Sequence, residues 1–348
     1  MNIFERICEV LQSDNEAALA TIISASGSTP APGQSKMLIR TKQDFSTIGT
    51  VGGGCLDQYI VLSLNDVKFT GAARVLTYNL NDDESDTGLT CGGTVHVMVE
   101  SLDVSAERIF RKLLERHKQR LASYLLTGLN GISRKSLLDE NGNVLFGNTL
   151  SPDILKKIAT MVARYSAING AQRVQQGSEV YILEYIEPPV RVIIFGGGHV
   201  GKSASRCGAL AGFSITIVDD REPYANRERF PEAEQICCES FDDAIHSLRI
   251  SRDDYVVIVT RGHRYDEQIL EKLLPFEPRY IGMIGSRRKI QLSYERLEAR
   301  GISHETLAKI HAPIGLEIGA ETAEEIGVSI IAELIAVRRG VEFASASS

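Results

Sequence analysis

The sequence predicts an α/β protein: a C-terminal, Rossmann-like doubly wound parallel sheet joined to an N-terminal mixed α/β domain. Three observations predict it. From residue 191 onward, short β-branched runs alternate with helical segments, the order that builds a parallel sheet. The first of those runs leads straight into a glycine-rich loop that opens a helix. Two consecutive prolines, Pro188 and Pro189, stiffen the chain ahead of it and suit a connector. The expected domains are residues 1–187 and 190–342.

In the first domain, residues 2–12 read as an amphipathic helix leading into a strand at 17–25. A turn-rich loop at 27–33 precedes a strand at 36–41, and glycines at 49–54 precede a helix at 55–67. Strands follow at 73–79 and 94–100, then a long helix at 103–121. Two further strands flank Asn141-Gly-Asn143, a hairpin signal. A helix at 152–167 and a strand at 179–186 complete this half, whose topology the pattern leaves open.

In the second domain the strands are 191–195, 214–219, 235–239, 255–260 and 280–285, with helices at 199–211, 241–248, 266–274 and 286–299. The closing helix, 322–339, is the best marked. Thr322 and Glu325 make a capping box, and Ile326, Ile330, Ile331, Leu334 and Ile335 form an apolar stripe. Arg338 and Arg339 suit the negative end of the dipole, and Gly340 closes the helix.

Composition excludes several classes. Hydrophobic residues make up 43% and charged residues 24%, the balance of a soluble globular protein. A net charge of −7 without a dense basic block argues against nucleic-acid binding. No apolar run reaches the roughly 18 residues a membrane span needs. The opening residues carry acids and no apolar signal core, so a cytoplasmic location is expected.

The loop Gly196-Gly197-Gly198-His199-Val200-Gly201 fits G-x-G-x-x-G between a strand and a helix. The first glycine permits a sharp turn, the second close approach of a phosphate, and the third close helix–strand packing. The helix N-terminus, at His199, offers free donors and a positive dipole end. The second strand ends in Asp219-Asp220-Arg221, where a dinucleotide fold keeps the acid for a ribose hydroxyl. A phosphate-bearing ligand is the expectation; nucleotide, dinucleotide and pterin phosphate all satisfy it.

Further polar residues fall at strand ends, where open α/β sheets bind ligands. The fourth strand runs into Thr260-Arg-Gly-His263-Arg-Tyr-Asp266. His263 and Asp266 share a face if a helix begins there, and a hydrogen-bonded pair fits better than a metal site, since no third ligand stands nearby in sequence. No metal site is expected. The fifth strand ends in Gly285-Ser286-Arg287-Arg288-Lys289, cations that oppose the helix dipole. A bound anion would relieve the conflict, and a solvated basic face would tolerate it. His311 and Glu317 lie in a Pro- and Gly-bearing segment just ahead of the capped helix, a shaped loop.

Six cysteines stand at 8, 55, 91, 207, 237 and 238, with no C-x-x-C pair. Cys8, Cys207, Cys237 and Cys238 read as small buried apolar residues. Cys55, after three glycines, and Cys91, before two, are set in exposed, permissive backbone. Cys55 opens a helix, a position that favours thiolate, and a thiolate binds a soft metal or carries sulfur. Two small residues in tight turns is the plain alternative.

Taken together, these motifs resemble the XdhC/CoxI family of xanthine dehydrogenase accessory proteins. The segments are SGSTP (26–30) and GQSKM (33–37), one spacer short of the family pattern, then GTVGGGCLD (49–57) and LTCGGTVHVMVE (89–100). FGGGHVGK (195–202), VDDRE (218–222), VTRGHRYD (259–266), YIGMIGSRRK (280–289) and HAPIGLEIGAETAEEIGVSIIAELIA (311–336) follow in order, while 103–180 carries little of the signature. The resemblance implies an N-terminal domain joined to a Rossmann domain, often as a homodimer. It implies binding of molybdenum cofactor, as molybdopterin or a nucleotide form, its sulfuration with a cysteine desulfurase, and delivery to an apo molybdenum hydroxylase of the xanthine-dehydrogenase type. The pterin phosphate or its nucleotide extension would lie near Gly196, Gly198 and Gly201, and Cys55 and Cys91 would meet molybdenum or incoming sulfur. Some relatives carry alanine at the position of Cys55. The competing readings are an NAD(P)-dependent oxidoreductase, for which no hydride-transfer dyad is evident, and a non-catalytic nucleotide-sensing module. A complete xanthine dehydrogenase would also need iron–sulfur cysteine runs, which this chain lacks.

Overall fold

The computed structural model describes residues 3–27, 33–42, 45–65, 73–80, 93–129, 134–164 and 170–341. Two compact units divide between Pro188 and Pro189.

The first unit holds two five-stranded antiparallel sheets. Strands β1 (Glu16–Gly27), β2 (Lys36–Ile39), β3 (Thr47–Gly49), β4 (Arg74–Asn79) and β5 (Gly93–Asp103) form one, in the order β3-β2-β1-β5-β4. Alternate residues of β1 face two cores. Ala17 and Leu19 pack with helix α1 (Ile3–Asp14) and helix α3 (Val104–Lys118), while Ala18, Ala20 and Ile22 pack with helix α2 (Gly54–Asn65). A strand covered on both sides is apolar throughout, as EAALATII shows.

The second sheet contains β6 (Ser123–Gly128), β7 (Lys135–Leu138), β8 (Val144–Gly147), β9 (Gln172–Gln176) and β10 (Glu179–Ile186), in the order β8-β7-β6-β10-β9. Helix α4 (Pro152–Val162) covers it, started by the Ser151 hydroxyl with proline at the first helical position. The hairpin read from Asn141-Gly-Asn143 joins β7 to β8, and the Asp139 carboxylate accepts from the amides of Asn141 and Asn143 at 2.9 and 2.8 Å. Three strands escape the sequence pattern: β3 is only three residues long, β6 follows α3 almost directly, and β9 carries a single apolar residue, Val174. Helix α3 also stops at Lys118, short of the expected 121.

The second unit is one parallel sheet of β11 (Arg191–Phe195), β12 (Ser214–Val218), β13 (Gln235–Cys237), β14 (Tyr255–Ile258) and β15 (Tyr280–Met283), in the order β13-β12-β11-β14-β15. All but the first end earlier than the sequence suggests, which frees those residues for loops. Helices α5 (His199–Leu210) and α10 (Ala323–Arg339) cover one face; α6 (Phe241–Ser247), α7 (His263–Leu273) and α8 (Arg287–Glu298) cover the other. A further short helix, α9 (His304–Leu307), follows α8. Helices on both faces of a parallel sheet are the predicted doubly wound architecture. Helix α10 has the full capping box at Thr322 and Glu325, and Gly340 closes it in the left-handed conformation. Helix α7 begins three residues earlier than expected, at His263, because Gly262 serves as its N-cap.

Among the described residues no helix is long and apolar enough to cross a membrane.

Candidate functional site

The glycine loop begins where β11 ends. Gly196 adopts φ +115°, and a Cβ there would lie 2.4 Å from the carbonyl oxygen of Val259. A Cβ on Gly201 would lie 2.0 Å from the carbonyl oxygen of Gly196, so the third glycine of the motif is needed for close packing of α5 on the turn. Gly198 differs: a Cβ there meets nothing within 4 Å. Its φ and ψ, −66° and −166°, are open to any residue. What Gly198 leaves is room, in front of the first turn of α5.

That turn has donors to offer. The first intrahelical hydrogen bond runs from the Lys202 amide to the Gly198 carbonyl at 3.0 Å, so the amides of residues 199–201 have no acceptor within the helix. No acidic residue stands in the first turn to fill the gap. The positive end of the helix dipole and the bare amides together suit an anion.

The loop is braced from outside. The Gly197 amide donates to Asp219 Oδ2 at 2.8 Å, and its carbonyl accepts from Arg229 Nε at 2.8 Å. Asp219 is 1% exposed, and its oxygens also accept from the Arg221 amide and guanidinium at 2.9–3.1 Å. The Arg221 guanidinium lies 3.8 Å from the Tyr224 ring centroid. From sequence, Asp219 would hold a ligand hydroxyl; in the structure it turns inward onto the loop's own backbone. A strand-end acid serves either purpose, and only coordinates distinguish them.

The remaining rim residues separate into smaller groups. Thr260 Oγ1 donates to Asp266 at 2.6 Å, and Asp266 is 3% exposed. His263 is the first residue of α7, and its side chain lies outside the described residues. Ser286 is the N-cap of α8 but makes no side-chain capping bond. Arg287 pairs with Glu317 at 3.2 Å, both side chains more than 70% exposed. The expected relief of the basic helix start thus comes, for Arg287, from a carboxylate of the chain itself.

His311 belongs to a group that sequence reading missed. Its Nδ1 lies 2.7 Å from Glu333 Oε1, while Glu333 Oε2 accepts from Tyr280 OH and from the Gly315 amide, each at 2.7 Å. Burial pushes the Glu333 carboxyl up, but the bonds from His311, Tyr280 and Gly315 outweigh it and hold it below the usual value. Burial and the neighbouring carboxylate push the Tyr280 hydroxyl far above its usual value. The signal was present: Glu333 interrupts the buried face formed by Ile330, Ile331 and Leu334.

Cys55 belongs to the other compact unit. It stands in the first turn of α2, after Gly52, Gly53 and Gly54, all at positive φ, and is half-buried. The Asp57 carboxylate ties this turn together by accepting from Thr50 Oγ1 at 2.7 Å and the Val51 amide at 3.1 Å. Cys91 lies outside the described residues. Of the thiols read as buried, Cys8 and Cys237 are; burial, with Glu107 adding to it, pushes Cys8 up to about 11. Cys207 is half-buried. Cys238 is exposed, against expectation, because it lies one residue beyond the end of β13.

Comparison with known proteins agrees with this geometry. Residues 192–334 match the family model described as the XdhC Rossmann domain, and residues 10–79 match the model described as the XdhC and CoxI family. The chain belongs to the XdhC and CoxI family. Among XdhC/CoxI relatives, a probable xanthine dehydrogenase subunit of Bacillus subtilis is 27% identical over 340 residues, 95% of this chain and 96% of its own. The molybdenum cofactor insertion chaperone PaoD of Escherichia coli is 24% identical over 330 residues, 95% of this chain and 86% of that protein. The crystal structure of a xanthine dehydrogenase from Bacillus halodurans superposes with a TM-score of 0.80 at 25% identity, over 99% of this chain and 98% of that one. The XdhC/CoxI fold thus extends over both units.

Proposed function

We propose that this XdhC/CoxI chain is an accessory factor that binds molybdenum cofactor as cargo and delivers it to a molybdenum hydroxylase of the xanthine-dehydrogenase type. One observation carries the reading: a braced turn presents the bare amides of residues 199–201 behind the open space at Gly198. The phosphate of a pterin, or the diphosphate of its nucleotide form, has the charge and acceptors such a seat takes. The name of the Escherichia coli relative supports the choice of cargo.

Cys91 and Cys55 are the thiols we assign to molybdenum or to sulfur received from a cysteine desulfurase. Homodimerisation and a cytoplasmic location belong to the same reading. Of the ligand-facing roles, we keep Gly198 and His199 for the phosphate, with Gly196, Gly197, Gly201, Asp219 and Arg221 shaping the turn. Since Asp219 is committed to Gly197 and Arg221, the NAD(P) oxidoreductase alternative lacks the ribose-holding acid on which it rested.

The test is the pterin carried by the purified protein, measured as its fluorescent oxidation product after expression with cofactor synthesis active. Wild type is expected to carry pterin, and Gly198→Leu to lose it while folding normally. NADH turnover without pterin binding would overturn the reading. Cys91→Ser and Cys55→Ser are expected to keep the pterin and to lower activation of the client enzyme.

A further inference from the structure

The strand order places β12 and β14 on either side of β11. Asp220 comes two residues after the end of β12, and Arg261 three residues after the end of β14. Two strand spacings, about 10 Å, separate the strands themselves. Yet the two side chains meet in a bidentate pair, Arg261 Nη1 to Asp220 Oδ1 at 2.5 Å and Nη2 to Oδ2 at 2.8 Å. The pair therefore bridges the carboxyl end of β11, where the glycine loop starts. A ligand seated by its phosphate on α5 of an open parallel sheet runs across that same end.

Arg261 is held in place independently of Asp220. The Tyr265 hydroxyl lies 3.1 Å from Nη2, and the Tyr265 ring centroid lies 4.6 Å from the guanidinium carbon. Asp220 has a second cation at hand, Arg221 Nε at 3.8 Å. The side chains of Arg261 and Asp220 are 33% and 30% exposed, so the pair is reachable from solvent. Pairs so exposed contribute on the order of 0–1 kcal/mol, and parting one costs little. Asp219, one residue earlier, is buried and committed to the loop; Asp220 is neither.

We propose that Asp220 is an internal stand-in for an anionic group of the ligand. On binding, Arg261 exchanges Asp220 for that group, and Asp220 falls back on Arg221. The device selects ligands that carry a second negative charge beyond the phosphate seated on α5, a diphosphate over a monophosphate. It rests on the phosphate-seat reading given above.

The test titrates the full-length protein with inorganic pyrophosphate and with orthophosphate, followed by the His199 amide shift. Charged hydrogen bonds are worth about 1.5–3 kcal/mol, so Asp220→Asn is expected to tighten pyrophosphate about tenfold and orthophosphate less than twofold. Arg261→Gln is expected to weaken pyrophosphate about tenfold, to the level of orthophosphate. Both variants are expected to melt close to wild type. If wild type binds pyrophosphate, Gly198→Leu abolishes it and Asp220→Asn leaves it unchanged, the exchange is wrong and the seat stands. If neither wild type nor Asp220→Asn shows binding, seat and exchange both fall.

Discussion

Asp219 Oδ2 accepts the amide of Gly197 at 2.8 Å and turns the acid after β12 into part of the loop it would otherwise only neighbour. With the Gly197 carbonyl held by Arg229, the peptide cannot rotate, and the amides that follow stay aimed at the space beside Gly198. Preorganisation of this kind spares a ligand the cost of ordering its own seat.

The first prediction follows from that brace. Asp219→Ala leaves the buried Gly197 amide and the Arg221 guanidinium without their acceptor. It is expected to lower stability by about 2–3 kcal/mol and to weaken pyrophosphate binding as well. Urea unfolding and the titration above check both halves; a destabilised variant with undiminished affinity would show that the brace serves folding alone.

The glycines of the loop are predicted to divide by role. Gly201→Ala drives a methyl to within 2.0 Å of a backbone oxygen, which no side-chain rotation relieves. A loss of about 2 kcal/mol or more is expected. Gly198→Ala places its methyl in open space and is expected to change stability by less than about 1 kcal/mol while reducing anion affinity. Melting curves of the two variants, measured together, decide the point.

A third prediction concerns acid. Glu333 has a folded-state pKa below its usual value, so its contribution is complete above the unfolded carboxyl's ordinary range. It is lost as pH falls through the lower folded value. Glu333→Gln should cost about 2–4 kcal/mol at pH 7, and the gap to wild type should narrow below pH 4.5. Unfolding at pH 7 and pH 3.5 tests the sign: a gap that widens in acid contradicts it.

How much of this was legible beforehand depends on what each residue's neighbours are. The C-terminal sheet could be read because its strands and helices alternate and its glycine loop sits at their first junction. The roles of Asp219 and Glu333 could not be read from spacing, because each depends on which way one carboxylate turns. Val174 alone among polar residues gave β9 no detectable alternation, and its pairing with β10 is what makes it a strand. The pairing of Asp220 with Arg261 spans 41 positions, and strand order, invisible in sequence, brings them together.

The two sheets of the first unit are joined by two ion pairs of opposite polarity, and the last prediction concerns them. Lys36 of the first sheet meets Glu184 of the second, and Glu100 of the first meets Lys135 of the second at 3.0 Å. None of the four side chains exceeds 6% exposure. Burial pushes the Glu100 carboxyl up, and Lys135 opposes it. Lys135 also donates to Thr127 Oγ1 at 2.7 Å and lies over the Phe110 ring at 5.6 Å. Removing one member strands a buried charge, so Lys135→Met is expected to cost about 3–5 kcal/mol. Adding Glu100→Leu removes the stranded carboxylate and should restore most of that loss, because apolar replacements of similar volume often match a buried pair. Urea unfolding of the single and double variants makes the comparison. A double variant no more stable than Lys135→Met alone would mean that the cost comes from packing around Phe110 and Thr127, with the ion pair contributing little.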